Sequence, residues 1–330
     1  MSGWEVPTRT THLLSRYAES INWLARYMER IENLARIIDV TESFMRTGGN
    51  EQGWHSIVQI NADEKRFFKF HDQATPDNVI DFYVLDRNNP TSIVRMITAA
   101  RENARTLRPL ISTEMWSHIN MFYNRVRALE PGDIETSRVA ELCSFLRREC
   151  QTHTGITEGT FYRDQGWCFY ALGKHLERAD QITRLVDIKY HTLLPVGAPV
   201  GSPVDISQWN TVLRAASAYH AFRRTTSAAM TPASVAGFIL LSEGFPRSLP
   251  TCVRVLHAQL TQLRSEYGLR ASAGPLERID EILAALANQS ISEILVRGLH
   301  EFLDWMQIEF IGLQQDIAAA YWAGTPSPPE

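Results

Sequence analysis

Residues 24–39 read LARYMERIENLARIID, and their spacing decides the fold class. Leu24, Tyr27, Met28, Ile31, Leu34 and Ile38 recur at intervals of three and four, one continuous apolar stripe on an α-helix. Arg26, Glu29, Arg30, Asn33 and Arg36 fall on the opposite side, which predicts a polar face. The pattern extends over residues 21–40. The same periodicity predicts helices over residues 90–108, 112–129, 135–150, 165–192, 206–228, 246–267 and 290–321. Shorter helices are expected at 54–60, 64–71, 76–85, 232–241 and 276–286. Thr75-Pro76, Asn89-Pro90 and Thr231-Pro232 each set a polar cap before a proline, a helix-start signal. No segment shows convincing strand alternation. The expectation is an all-α helical bundle.

The decisive stretch has a second copy. Shifted forward by 148 positions, residues 24–40 lie on 172–188 without a gap. Leu24, Glu29, Arg30, Arg36 and Asp39 meet Leu172, Glu177, Arg178, Arg184 and Asp187. Arg26/Lys174, Glu32/Asp180 and Asn33/Gln181 are conservative matches. At a shift of 156, Thr75, Pro76, Val79, Phe82 and Leu85 lie on Thr231, Pro232, Val235, Phe238 and Leu241. The expected bundle is therefore built from two tandem pseudo-repeats. Its division is a first repeat plus the start of the second over 1–194, a Pro/Gly linker over 195–204 and the rest of the second over 205–323. A disordered tail is expected over 324–330. Duplication places paired charges on or near a pseudo-two-fold axis.

Composition narrows the function. The chain has 330 residues, 44% hydrophobic and 21% charged, enough apolar surface for a sizeable core. Nothing approaches the ~18 consecutive apolar residues of a membrane span, and residues 1–16 lack a secretory layout. Cys143, Cys150, Cys168 and Cys252 form no C-x-x-C and read as buried thiols of a reduced, cytoplasmic compartment. A net charge of −4 and the lack of a basic-aromatic stripe argue against nucleic acid.

Two constellations carry chemistry. In the first, Glu29 has Arg26 and Arg36 at helical spacing and Glu32 has Arg36 at i+4; Glu177, Arg178, Asp180, Arg184 and Asp187 repeat the set. Two such helices would line a groove with both signs of charge, and arginine forks suit carboxylates and phosphates. The competing reading is a solvated, salt-bridged face. In the second, Arg101, Glu102, Asn103, Arg105 and Arg108 crowd one short stretch, with Glu114 and Trp116 opening the next helix behind a Ser112 or Thr113 cap. Arg101 and Arg105 at i+4 repel unless a carboxylate or an anionic ligand sits between them. Capping and inter-helix ion pairing compete with ligand binding here.

Metal and cofactor motifs are absent. Ferritin-like bundles need Glu-x-x-His, which does not occur; Glu51/His55 and Glu114/His118 have i+4 spacing but stand alone. No P-loop, dinucleotide fingerprint, G-x-S-x-G or H-E-x-x-H occurs. No metal and no cofactor is expected.

The stretches at residues 14–40 (LSRYAESINWLARYMERIENLARIIDV), 89–116 (NPTSIVRMITAARENARTLRPLISTEMW), 166–190 (GWCFYALGKHLERADQITRLVDIKY) and 244–249 (GFPRSL) resemble the bacterial alpha-E family. These are helical proteins of unknown biochemical function, and the likeness runs to about Tyr321. Lys174-His175 departs slightly from the family's Arg-His-like pattern. The resemblance implies gene company with an ATP-grasp ligase-like protein and a transglutaminase-like peptidase, hence a role in making, tagging or processing a peptide.

The leading expectation is a non-catalytic helical partner or peptide-binding subunit of such a system, its ligand a peptide or small anion. The alternative is an enzyme with Glu29, Glu177 or Glu114 as general acid or base and Arg30, Arg101, Arg105 and Arg178 clamping an anionic substrate. A third reading is an oligomer docked through a long C-terminal helix over 291–322.

Overall fold

The computed structural model describes residues 13–46, 52–193, 203–227 and 229–322, and among these every regular element is helical. In chain order the α-helices are α1 (Ser15–Arg46), α2 (Gln52–Ile60), α3 (Glu64–Phe67), α4 (Pro76–Val84), α5 (Ile93–Thr106), α6 (Thr113–Arg127), α7 (Val139–Thr160) and α8 (Gln165–Leu193). They continue as α9 (Pro203–Ala215), α10 (Tyr219–Thr225), α11 (Pro232–Leu241), α12 (Leu249–Ser265), α13 (Ala273–Ala287), α14 (Ile291–Arg297) and α15 (Leu299–Tyr321). No helix of the described residues is long and apolar enough to cross a membrane.

α1 is the axis of the bundle. Its apolar stripe is buried as expected, but so are Arg26, Glu29, Glu32, Asn33 and Arg36. The expected solvated face is thus corrected: other helices cover α1 on both sides. The chief cover is α8, and the two run parallel. Leu13 bonds Gln165, Asn22 bonds the Phe169 carbonyl and Asn33 bonds Gln181, so partners ascend together. Gly173 allows this closeness, because a Cβ there would lie 2.3 Å from the Asn22 carbonyl oxygen. That backbone atom has no rotamer with which to retreat.

The remaining helices pack around this pair. α5 and α7 lie on α1, with α6 joining them, while α12 and α15 lie on α8, with α13 joining them. α2 crosses to α8 and α9 crosses to α1. Thr75 and Thr231 cap α4 and α11, each accepting from a backbone N–H three residues on. Ser92 and Ser248 do the same for α5 and α12.

Several boundaries differ from expectation. The helix expected over 206–228 breaks after Ala215. Ser217 adopts a left-handed φ of 59°, and Ala218 N–H bonds Leu213 while Ser217 N–H bonds Arg214, a Schellman termination. The helix expected over 290–321 breaks at Gly298, where φ is 116° and a Cβ would collide with the Glu301 carboxylate. The Asn89-Pro90 signal lies one turn early, since Ser92 caps the helix and Asn89 bonds the Phe82 carbonyl instead. The helix expected over 135–150 begins at Val139 and runs on to Thr160, and α3 is a single turn within the expected 64–71. The linker over 195–204 lies outside the described residues except for Pro203 and Val204, which open α9. The tail over 324–330 lies outside them too.

Candidate functional site

The parallel register of α1 on α8 brings the two matched Glu-Arg pairs face to face. The Glu29 carboxylate accepts two bonds from Arg178, Nε at 2.9 Å and Nη2 at 2.7 Å. Reciprocally, Glu177 accepts from Arg30 Nε at 2.6 Å and from Arg26 Nε at 2.9 Å. Asn33 donates to Gln181 at 2.8 Å, and Gln181 donates to Glu177 at 3.1 Å. Arg247, at the start of α12, inserts between Glu29 (2.6 Å) and Glu32 (3.2 Å), and Glu32 also holds Arg36. Asp180 holds Arg184 at 2.9 Å. The expected partners of Glu29 on its own helix, Arg26 and Arg36, turn instead to Glu177 and Glu32. Charge-assisted bonds of this kind are the strong ones, and the Arg178 fork is bidentate.

This seam is buried, and the charges answer to it. Burial pushes the Glu29 carboxyl up, but Arg178 and Arg247 outweigh it and hold it well below the usual carboxylate range. Glu177, 0% exposed, is likewise pushed up by burial and pulled below its ordinary value by Arg30 and Arg26. Arg26 is different. Burial lowers it more than Glu177 raises it, with Arg30 adding repulsion, so its net shift is downward. Two guanidiniums share one carboxylate there.

On one side the seam opens into a cleft of about 440 Å³. α1 contributes Trp23, Arg26, Tyr27 and Arg30, α8 contributes Leu176, Asp180 and Arg184, and α15 contributes Phe310, Ile311 and Gln314. The turn after α2 completes it with Asp63, Arg66 and Thr91 alongside. That turn ends α2 by a Schellman closure: Ala62 takes a φ of 55° and Asp63 N–H bonds Val58. Buried Asp63 then accepts from Arg66 (2.7 Å), Thr91 (2.8 Å) and Tyr83 (3.2 Å). The Arg26 guanidinium lies 4.7 Å from the Trp23 ring centre, a cation–π contact.

The second constellation lies elsewhere, on α5 and α6, and lines no part of this cleft. Glu102 sits between Arg101 (3.0 Å) and Arg105 (2.6 Å), which answers the repulsion expected of that pair. Arg101 also bonds Asn120 at 2.8 Å and packs over Trp116 and Tyr123. Asn103 is half-buried, Glu114 is exposed and Ser112 is the cap of α6. Asp39 pairs with Arg147 at 3.0 Å and Asp187 with His300 at 2.8 Å, so the ends of the matched helices do not meet each other. The four thiols are free and buried, and burial raises Cys168 and Cys252 to about 12. Glu51 lies outside the described residues, His55 contacts Glu64, and His118 bonds the Glu149 carbonyl. Among the described residues no group of three His, Cys, Asp or Glu side chains is placed to hold a metal.

Sequence reasoning did not nominate Trp23, Asp63, Thr91 or Arg247, and it placed Arg26 beside Glu29 rather than Glu177. Arg247 lies within GFPRSL, where its motif was the only available signal. Trp23, immediately before the decisive stretch, sits three residues from Arg26, a spacing consistent with a stacked pair.

A family described as a predicted alpha-helical domain with a conserved ER motif matches residues 13–322. The chain belongs to the Alpha-E family. It contains three Glu-Arg dipeptides. Glu29-Arg30 and Glu177-Arg178 face each other across the seam, whereas Arg278 of the third pairs with Asp316 and Glu309 on α15. Uncharacterized proteins of Mycobacterium bovis and Mycobacterium tuberculosis are 25% identical to this Alpha-E chain over 225 residues, 65% of it and 24% of their own length. The chain thus spans about a quarter of the length of the curated relatives it matches. No solved structure matches it.

Proposed function

We propose that this Alpha-E protein is a non-catalytic helical partner, a peptide-binding subunit serving the ATP-grasp ligase-like and transglutaminase-like proteins that the family resemblance implies. The observation that carries the reading is the state of the seam glutamates. A general acid or base works best with a pKa near the operating pH. Glu29 and Glu177 are instead clamped by arginines and held below the carboxylate range. They order α1 against α8, and the cleft beside them is the surface left for a ligand. The length of the mycobacterial relatives supports this reading, because the matched region there is a minor part of a longer chain. The packing of α5 and α7 on α1, and of α12 and α15 on α8, supports derivation from two copies of one unit.

The test is co-purification with the neighbouring ATP-grasp protein, using the natural chain and Arg101→Ala/Arg105→Ala, an exposed-side variant remote from the seam. The expected result is a stable complex that changes the ligase's affinity for its peptide. A ligase whose affinity and turnover are the same with and without this protein defeats the proposal. Loss of the complex in the variant places the interface on α5, and its retention places it elsewhere.

A further inference from the structure

The cleft has a donor and acceptor pattern of its own. Arg26 is 8% exposed; its Nε is engaged by Glu177, but its Nη1 is buried without a hydrogen-bond partner. Two acceptors of the same cleft are also buried and unpartnered: Asp180 Oδ1 and Gln314 Oε1. A buried polar atom left unpaired costs about 1–3 kcal/mol, more for a charged group, so three on one cleft call for a complementary molecule. The charge balance agrees. Four guanidiniums (Arg26, Arg30, Arg66, Arg184) face three carboxylates (Glu177, Asp63, Asp180). The region holds one positive charge more than its carboxylates neutralise.

We infer that the cleft receives the free carboxylate end of a peptide whose last residue is apolar or aromatic. This rests on the peptide-binding reading above and names the part of the peptide that is bound. The terminal carboxylate supplies the negative charge and the acceptors that Arg26 Nη1 lacks. The N–H groups of the last peptide units supply donors for Asp180 Oδ1 and Gln314 Oε1. The terminal side chain rests against Trp23, Leu176, Phe310 and Ile311. A fully ionised phosphate monoester satisfies the arginine but brings no donor to Asp180 and Gln314, leaving two acceptors facing an anion, and the O–H of inorganic phosphate reaches at most one of them without placing charge beside the other. The pattern therefore selects a carboxylate joined to N–H donors. Arg247, which precedes the Ser248 cap as Thr91 precedes the Ser92 cap, is already engaged by Glu29 and Glu32.

The test is calorimetry on the full chain with N-acetylated tripeptides ending in Phe, Leu or Trp, as free acids and as C-terminal amides. Free phenylalanine and inorganic phosphate serve as comparison probes. At least one peptide acid binds, its amide binds at least about tenfold more weakly, and phosphate does not compete at equal concentration. Ile311→Glu sets a like charge at the mouth of the cleft from a half-exposed position where folding is unaffected, and it weakens the peptide acid about tenfold. Arg26→Gln abolishes binding. Equal binding of acid and amide overturns the inference. So does binding of phenylalanine without any peptide acid, competition by phosphate, failure of every peptide acid, or indifference to Ile311→Glu. Failure here alongside an intact ATP-grasp complex removes the carboxylate site alone. Peptide binding without any such complex removes the partner assignment alone.

Discussion

Replacing Glu177 by Gln is the sharpest test of the seam. The side chain keeps its shape, but the shared carboxylate of Arg26 and Arg30 loses its charge while the Arg26 guanidinium stays buried and Arg30 half-buried. Removing one partner of a buried ion pair costs about 3–5 kcal/mol, because the other charge is left uncompensated. Gln retains one acceptor oxygen, so about 3 kcal/mol is the expected loss. At about 2.1 cal/mol/K of unfolding entropy per residue, a chain of 330 residues shifts by about 1.4 °C per kcal/mol, so the melting temperature falls by about 4 °C. The assay is urea and thermal unfolding followed by circular dichroism, with Arg105→Ala as the exposed control. That control removes a surface pair and shifts stability by no more than about 1 kcal/mol. In the Glu177→Gln background a further Arg30→Gln costs much less than it does alone, because its partner is already neutral. A Glu177→Gln protein within about 1 kcal/mol of the natural chain, or additive behaviour of the two substitutions, refutes the reasoning.

Two other perturbations follow from the same packing. Gly173→Ala drives a Cβ into the Asn22 carbonyl and destabilises by about 1–3 kcal/mol or more as α1 and α8 separate, measurable as a lowered urea midpoint; an unchanged midpoint contradicts the close approach. Acid sensitivity arises at His153, 0% exposed, with burial, the neighbouring His118 and Lys174 pushing it down to about 3. Its folded-state pKa lies below the unfolded value of about 6.5, so its contribution is present above that value and fades as pH falls toward 3. The loss is about 1.4 kcal/mol per pH unit. His153→Gln accordingly flattens the stability profile between pH 6.5 and 5, and a profile parallel to the natural chain's refutes the assignment.

The helical class was legible because the stripe of residues 24–38 repeats at one period and little else does. The breaks at Ser217 and Gly298 were not, for two physical reasons. Ser217 is a left-handed residue without glycine's signature, and apolar periodicity runs straight across Gly298 from Ile294 to Leu303. At the site, the 148-residue shift between matched stretches is the separation of Asn33 and Gln181 where α1 meets α8, and that register sets Glu29-Arg30 against Glu177-Arg178. Their partners were not legible. Spacing names only neighbours on one helix, and it assigned Glu29 to Arg26 and Arg36. The actual partners, Arg178 and Arg247, arrive from helices far along the chain. Burial of the polar side of α1 was hidden for the same reason: an amphipathic pattern shows where the core is, but not that a second charged helix will cover the other face.

The measurement that bears most directly on the central claim is the carbon-13 titration of the Glu29 and Glu177 side-chain carboxyls, assigned with the Glu→Gln variants. Both are expected to stay ionised from neutral pH down past the ordinary carboxylate value of about 4.3, as structural partners of arginine do. Either one taking up its proton at about pH 6 or above, in the range where a carboxyl serves as a general acid, contradicts the account and makes the seam a catalytic centre.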